Sequence, residues 1–188
     1  MKKLMMIAAM MLMSVGAFSQ EMFIKPMVGG TLSTFRGDGV SNTKMKFGLV
    51  AGAEFGYNFT ENIGVTAGLL YSMQGSGNKS TDDKFKMDYL NIPVLFNYYI
   101  IPGLAIKAGV QPGILMSAKY GDHDYKDYLN SFDLSVPMGL SYEISDFVID
   151  ARYNLGVTDI LKSGNGMHWD AKAYNSVIML TLGYKSPL

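Results

Sequence analysis

The chain alternates between apolar and polar or small residues over long stretches, and the clearest stretch runs from Met87 to Ser117. It splits into two runs around Ile101-Pro102-Gly103. A period of two predicts β-strands, because successive side chains leave a strand on opposite faces. Pro93 lacks an amide donor and therefore predicts a bulge or an unpaired position within the first run. That run has two faces: Leu90, Ile92, Val94, Phe96 and Tyr98 on one, and Tyr89, Asn91, Pro93, Leu95 and Asn97 on the other.

Six further stretches show the same alternation, and together with these two runs they predict eight strands. They cover roughly 22–34, 46–59, 63–74, 128–142, 147–155 and 175–184. One face of each strand is almost purely apolar, whereas the other is polar, small or charged. An apolar outside around a polar inside is the pattern of a transmembrane barrel. The sequence therefore predicts an all-β fold, an eight-stranded antiparallel up-and-down transmembrane β-barrel. Glycines on the inward face of the second strand are expected to leave room for larger side chains from other strands.

Short and long connections alternate strictly between the predicted strands. The short turns are expected at 60–62, 101–103 and 144–146, and the long polar loops at Arg36–Met45, Gly75–Lys86, Ala118–Lys126 and Thr158–Tyr174. Short turns belong on the periplasmic side of such barrels, so both mature termini are expected in the periplasm. Six aromatic residues then fall at the periplasmic strand ends, where they predict an interfacial girdle. They are Tyr57, Phe59, Tyr98, Tyr142, Phe147 and Tyr184.

The first 19 residues have the three parts of a secretory signal peptide. Lys2 and Lys3 form a basic start, Leu4 to Val15 is an apolar run, and Ala17-Phe18-Ser19 is a cleavage signal. The apolar run is shorter than the roughly 20 residues that a transmembrane helix needs. The expected organisation is therefore a signal peptide over 1–19 and one barrel domain over 20–188, exported to the outer membrane.

The segment Asp88-Tyr89-Leu90-Asn91-Ile92-Pro93-Val94-Leu95 resembles a strand of the PorT-like outer-membrane β-barrel family of Bacteroidetes. The glycine-rich first strand, with Val28-Gly29-Gly30, and the GLLYSMQG segment from Gly68 to Gly75 are similar as well. The resemblance covers nearly the whole mature chain and implies an eight-stranded barrel of the OmpA/OmpX type. It also implies a link to protein export or surface assembly.

Charge and cysteine content exclude several classes of function. The chain has 16 basic and 16 acidic residues, and removal of Lys2 and Lys3 leaves 14 basic against 16 acidic, a net charge of −2. No basic excess points to nucleic acid. There is no cysteine, so thiolate metal sites, disulfides and cysteine nucleophiles are ruled out. No cofactor is expected.

Six charged residues are predicted to face the barrel interior, all in its periplasmic half: Lys25, Glu54, Lys107, Glu143, Asp150 and Arg152. Eight strands enclose a lumen only wide enough for side chains to fill. We therefore expect ion pairs that plug it, since an unpaired buried charge is expensive. Arg152 is the expected hub, because a guanidinium binds two carboxylates at once. Its acceptors would be Glu54 and Asp150, with Lys25 and Lys107 balancing Glu143. A gate whose ion pairs rearrange is the alternative.

Two predicted loops carry candidate contact residues. Asp122, His123 and Asp124 have a spacing that could hold a divalent cation, but a solvated acidic loop is the favoured interpretation and no metal site is predicted. His168 and Trp169 lie in the last long loop. No serine nucleophile motif accompanies His168, so an exposed contact surface is favoured over catalysis.

The resulting expectation is a non-enzymatic outer-membrane barrel that contacts lipid and binds another protein through its loops or its periplasmic rim. Oligomerisation is not required. A narrow solute or ion channel, a lipid-modifying barrel enzyme and a soluble lipocalin-like carrier are the alternatives.

Overall fold

The computed structural model describes residues 21–37, 43–78, 84–121, 123–162 and 172–188, and most of these residues lie in β-strands. The eight long strands are β1 Glu21–Arg36, β2 Thr43–Asn58, β3 Ile63–Asn78, β4 in two halves (β4a Lys84–Asn91 and β4b Val94–Ile101), β5 Leu104–Tyr120, β6 Phe132–Ile144, β7 Phe147–Gly156 and β8 Tyr174–Tyr184. Two short strand segments lie at His123–Asp124 and Ser186–Pro187, and a 3-10 turn at Lys126–Tyr128.

The strands form one closed antiparallel ring in chain order. The ring closes where β8 pairs with β1, in a register that runs from Met27 opposite Gly183 to Arg36 opposite Tyr174. Closure leaves no unpaired sheet edge, which is what allows a sheet to sit in lipid. The predicted fold, an eight-stranded up-and-down transmembrane β-barrel, is confirmed.

The fourth strand is interrupted at Ile92 and Pro93, which lie between β4a and β4b. The neighbouring strands still satisfy this backbone. The Gly68 amide donates to the Pro93 carbonyl at 3.0 Å, and the Ile92 amide donates to the Pro112 carbonyl at 2.8 Å. The irregularity predicted from the missing proline amide is confirmed.

Side chains alternate between the outer surface and the lumen along every strand. On β2, for example, Leu49 and Phe55 are 55% and 46% exposed, whereas the inward-facing Val50 and Glu54 are 1% exposed. The inside and outside faces predicted from the alternation are therefore correct.

The two ends of the barrel differ in their connections. One end, here called the turn end, carries three short turns, at 59–62, 102–103 and 145–146, together with the start of β1 and the end of β8. The opposite end, the loop end, carries the four longer connections. The six girdle aromatics lie on the outer face at the turn end, where the Tyr57 and Phe59 rings are 4.9 Å apart and those of Phe147 and Tyr184 are 5.6 Å apart.

At the loop end, the strands are longer than the alternation predicts. Residues 43–45 continue β2, and Thr43 pairs with Asn78 at the tip of β3. Likewise, Lys86 and Lys119 pair in the β4a–β5 ladder, although both were placed at or within loops. The reason is that backbone pairing continues past the lipid-facing band, where the outward face meets water and the apolar pattern of that face fades.

The sixth strand begins later than predicted. It was expected from about Tyr128, but β6 starts at Phe132. Lys126–Tyr128 forms the 3-10 turn, and Leu129 makes an isolated bridge to Leu161 instead.

The lumen glycines leave room for large side chains, as the sequence indicated, and they also let the backbone of the neighbouring strand come close. A Cβ at Gly56 would overlap the Phe23 ring, so this glycine does leave room for a large side chain. A Cβ at Gly52 would instead overlap the Leu69 carbonyl oxygen, and one at Gly109 would overlap that of Val94. At these two positions glycine permits close approach of the neighbouring strand's backbone.

The outward face of β8 provides a test of lipid exposure. Leu180 is 58% exposed and lies four residues, or about 13 Å along the strand, from the girdle residue Tyr184, near the middle of the apolar band. We expect Leu180→Arg to lower the free energy of unfolding in lipid vesicles by about 2–4 kcal/mol, and Leu180→Met to leave it nearly unchanged. Equal effects of the two substitutions on a urea titration would contradict the lipid-facing assignment.

Candidate functional site

The turn half of the lumen contains a network of five buried charges. Asp150 and Arg152 are two residues apart on β7, so both side chains face the lumen. The Arg152 Nε and one terminal nitrogen donate to the two Asp150 oxygens at 2.6 and 2.7 Å. The other terminal nitrogen of Arg152 donates to Glu54 Oε1, across the lumen on β2. Arg152 thus holds both carboxylates at once, in the forked geometry that favours arginine.

Two lysines on other strands of the barrel complete the network. Lys25 on β1 lies directly opposite Glu54 in the β1–β2 ladder, and its ammonium is 2.9 Å from Glu54 Oε2 and 3.6 Å from Asp150 Oδ2. Lys107 on β5 donates to Asp150 Oδ2 at 2.7 Å. All five side chains are at most 4% exposed, so their charges are held by one another and not by bulk water.

Glu143, the sixth predicted member, does not join this network, and the expectation that Lys25 and Lys107 balance it is wrong. It lies at the rim of the turn end, where the Tyr99 hydroxyl donates to its Oε1 at 3.0 Å. Its other oxygen is 3.1 Å from the ammonium of Lys185, which also lies 3.3 Å from Glu21. Glu143 is one residue from the end of β6, and therefore too far along the barrel axis to reach the central charges.

This rim surrounds a cavity of about 210 Å³ that opens at the turn end. Its walls include Glu21, Glu143, Lys185 and Tyr99, with Asn58 donating to Glu21 at 3.2 Å. Sequence reasoning missed Tyr99 and Lys185. Lys185 follows the last residue of β8, where the alternation that identifies inward positions ends.

The loop half of the lumen is closed by apolar side chains, which we call the apolar cap. Strands β4a and β5 contribute the inward-facing part, and the connections at the loop end contribute the rest. Its buried members are Met87, Tyr89, Leu115, Ala118, Leu129, Ile160 and Ala173. The first four are at most 1% exposed, so the cap is as well buried as a protein core.

Hydrogen bonds fasten the connections over this cap. The Asn130 side-chain amide donates to the carbonyls of Asp159 and Leu161 at 2.8 and 3.0 Å. Asp159 Oδ1 in turn accepts from the amides of Leu161 and Ala173. Arg36 donates to the Gly156 carbonyl at 2.8 Å. The described parts of the last two connections are therefore tied to each other and to the barrel.

The loop candidates are only partly within the described residues. His123 and Asp124 are exposed, and Asp124 Oδ1 accepts from the Lys126 amide at 2.9 Å, as in an ordinary turn. Asp122, His168 and Trp169 lie outside the described residues, as does the predicted signal peptide. Within the described ranges, no group of three acidic, histidine or cysteine side chains is placed to hold a metal ion. Nor does any helix in them have the length and apolarity of a membrane span.

A closed ring of eight antiparallel strands, apolar outside and charged within, defines a small outer-membrane-type β-barrel protein. The chain belongs to the outer membrane protein beta-barrel domain family, whose sequence model matches residues 18–162. No curated protein sequence matches the chain. The more specific PorT-like resemblance stays a prediction.

Solved barrels share this fold at low sequence identity. The crystal structure of Ail, the attachment invasion locus protein of Yersinia pestis, in complex with the heparin analogue sucrose octasulfate, is 19% identical with a TM-score of 0.56, and the match covers 88% of this chain and 99% of that one. Neisserial surface protein A is 13% identical with a TM-score of 0.56, covering 88% of this chain and 97% of the other. Such similarity shows the fold alone.

Proposed function

We propose that this protein is a sealed, non-enzymatic outer-membrane barrel whose loop end presents a fixed surface to another macromolecule outside the cell. The observation that carries the proposal is the filling of the lumen at two levels, by the charge network in the turn half and by the apolar cap in the loop half. A barrel filled in this way has no route for solutes, whereas the described parts of its last two connections are fastened to the barrel and offer a fixed surface.

The buried carboxylates support the non-enzymatic part of the proposal. Glu54 and Asp150 are each 1% exposed and are bound on several sides by cations. A general acid or base must reach the proton that it transfers, and no substrate reaches these oxygens while the network is intact. The resemblance to the PorT-like family supports a partner in export or surface assembly.

The sealed lumen predicts that the wild-type protein shows no steady conductance in a planar lipid bilayer. The measurement is a current recording at fixed voltage, with a wide porin as the positive control for insertion. Heat-modifiable migration on a gel would verify that the inserted protein is folded. A large steady conductance from the folded protein would contradict the plug and favour the narrow channel.

The orientation can be tested by cysteine labelling, because the natural chain contains no cysteine. Tyr128 is 59% exposed at the loop end, and Glu61 is exposed in the turn between β2 and β3. In intact cells, we expect Tyr128→Cys to react with a membrane-impermeant maleimide and Glu61→Cys to react only after lysis. The opposite pattern would place the loop end in the periplasm and the turn end, with both mature termini, outside the cell.

The same variant tests the contact surface. A benzophenone maleimide attached to Tyr128→Cys is expected to give a discrete protein adduct on illumination of cells. The same label at Leu180→Cys, on the lipid face, should give none. Adducts from Glu61→Cys alone would move the contact to the turn end and overturn the proposed role of the loops.

A further inference from the structure

The buried lumen carries more positive than negative charge. Three cations of the network, Lys25, Lys107 and Arg152, face two carboxylates, Glu54 and Asp150. Nor is the excess removed elsewhere among the described buried residues, where Lys46 and Asp133 add one charge of each sign. At the rim, Glu143 and Glu21 share Lys185, so one negative charge is left over there, but the Glu21 side chain is 48% exposed and its charge is held by water rather than by the buried network. A buried charge without a counter-charge is strongly unfavourable, so the network needs one further negative charge.

Polar atoms without partners lie beside this excess. Asn97 is 1% exposed and Thr66 is 2% exposed, yet both side-chain atoms of the Asn97 amide and the Thr66 hydroxyl lack a hydrogen-bond partner. Buried polar groups in folded proteins are nearly always bonded, so each exception calls for an explanation. Asn97 and Thr66 both direct donors into the lumen.

The sheet register places these donors next to a network cation. Asn97 on β4b lies directly opposite Lys107 in the β4b–β5 ladder, a position where Cβ atoms are about 4.5–5.5 Å apart. On its other side Asn97 is paired with Gly64, two residues from Thr66 on β3. Thr66 is therefore the diagonal neighbour of Asn97 on the same face. The Lys107 ammonium has three donors, and Asp150 accepts one of them.

We propose that the lumen binds one small monoanion, chloride under ordinary salt conditions, between the Lys107 ammonium, the Asn97 amide nitrogen and the Thr66 hydroxyl. All three groups can donate hydrogen bonds, which is the chemistry that recognises an anion, and a lumen filled by side chains has room only for a small one. The anion supplies the missing negative charge and satisfies the two unpartnered donors. This inference is independent of which barrel end faces the cell exterior and of what the loops contact.

The test is the halide dependence of equilibrium unfolding in lipid vesicles, where unfolding and refolding let the anion exchange. Urea titrations are made in sodium chloride and in sodium gluconate at equal ionic strength, because gluconate is too large for a side-chain-filled lumen. A ligand that binds only the folded state raises the folding equilibrium constant in proportion to its concentration above Kd, about 100-fold at 100 times Kd. We expect chloride to do this, and gluconate not to.

Variants separate a site from a general salt effect. Thr66→Val keeps the shape of the side chain and removes its hydroxyl, and Asn97→Leu removes both unpartnered amide atoms. Each is expected to weaken the apparent chloride affinity about tenfold or more, with Thr66→Val as the safeguard if Asn97→Leu fails to fold. Gln111→Met is the control, because Gln111 also has an unpartnered buried oxygen but lies opposite Ser135 on β6.

Direct detection completes the test. In crystals grown in sodium bromide, an anomalous peak is expected beside Lys107, Asn97 and Thr66. Unfolding that is the same in chloride and gluconate would overturn the proposal and leave loss of a proton from Lys107 as the way the network becomes neutral. A chloride effect that persisted unchanged in Thr66→Val and Asn97→Leu would be a general salt effect and would overturn it as well.

Discussion

Replacing Arg152 with alanine is expected to lower the free energy of unfolding of the barrel by about 3–5 kcal/mol, the usual cost of removing one partner from a buried ion pair. Arg152 makes three hydrogen bonds, two to Asp150 and one to Glu54. Without it, Lys25 and Lys107 remain to compensate both carboxylates. Water that enters the space left by the guanidinium would move the result toward the lower end of the range. The measurement is a urea titration in lipid vesicles.

Two comparisons make this result specific. Lys185→Ala removes ion pairs at the rim, where its partner Glu21 is 48% exposed, and exposed pairs contribute at most about 1 kcal/mol. Arg152→Lys keeps the charge but cannot bridge two carboxylates in the same plane, so an intermediate loss is expected. A loss from Arg152→Ala no larger than that from Lys185→Ala would mean that the central network is hydrated, and that the plug is weaker than its geometry indicates.

A double-mutant cycle would show how much of the loss comes from the contact between Arg152 and Glu54. Glu54→Gln removes one negative charge and leaves an amide of similar size. If Arg152 acts mainly by compensating Glu54, Arg152→Ala should cost less in the Glu54→Gln background than in the wild type. Coupled neighbours of this kind typically show interaction energies of about 0.5–3 kcal/mol.

Most of the central charge network could be predicted from the sequence, because the alternation of apolar and polar residues shows which side chains face the lumen. Asp150 and Arg152 are two residues apart, so an inward face for one requires an inward face for the other. Glu54 is separated from them by almost 100 positions in sequence. It meets them because an eight-stranded lumen is narrow enough for side chains to touch across it.

Glu143 shows what alternation leaves out. Its inward face was correct, but a period of two says nothing about height along the barrel axis. Height depends on the register between strands and on how far each strand runs, and here it places Glu143 at the rim beside Tyr99 and Lys185. Lys185 could not be assigned to either face because it follows the end of β8.

The apolar cap was not predicted, for a different reason. Met87 and Tyr89 are apolar residues on an inward face that was expected to be polar, and Ile160 and Ala173 lie in what reads as a polar loop. Burial of Ile160 requires its connection to fold back over the barrel mouth, a tertiary arrangement that no local pattern encodes. The cap thus joins residues from strands and loops that are distant in sequence.

Leu115→Ala tests whether this cap holds the loop end in place. Leu115 is 1% exposed on the inward face of β5, and its backbone amide donates to the Ser131 carbonyl at 2.8 Å. The substitution preserves that bond and leaves a cavity in the cap, so we expect a loss of about 2–5 kcal/mol in the free energy of unfolding. Limited proteolysis should also become faster within 126–131, because this connection packs on the cap through Leu129.

The neighbouring residue on the opposite face supplies the control. Ile114 is 49% exposed on the lipid-facing side of the same strand, and lipid chains can fill the space that Ile114→Ala leaves. Ile114→Ala therefore costs only the free energy of moving the removed atoms out of water, and no cavity is left to add to it. We expect a smaller loss in the free energy of unfolding than for Leu115→Ala, and unchanged proteolysis within 126–131. Equal losses with equal proteolysis in the two variants would show that the cap does not hold the connections. In that case the loop end would be a mobile surface, and a partner would have to order it on binding.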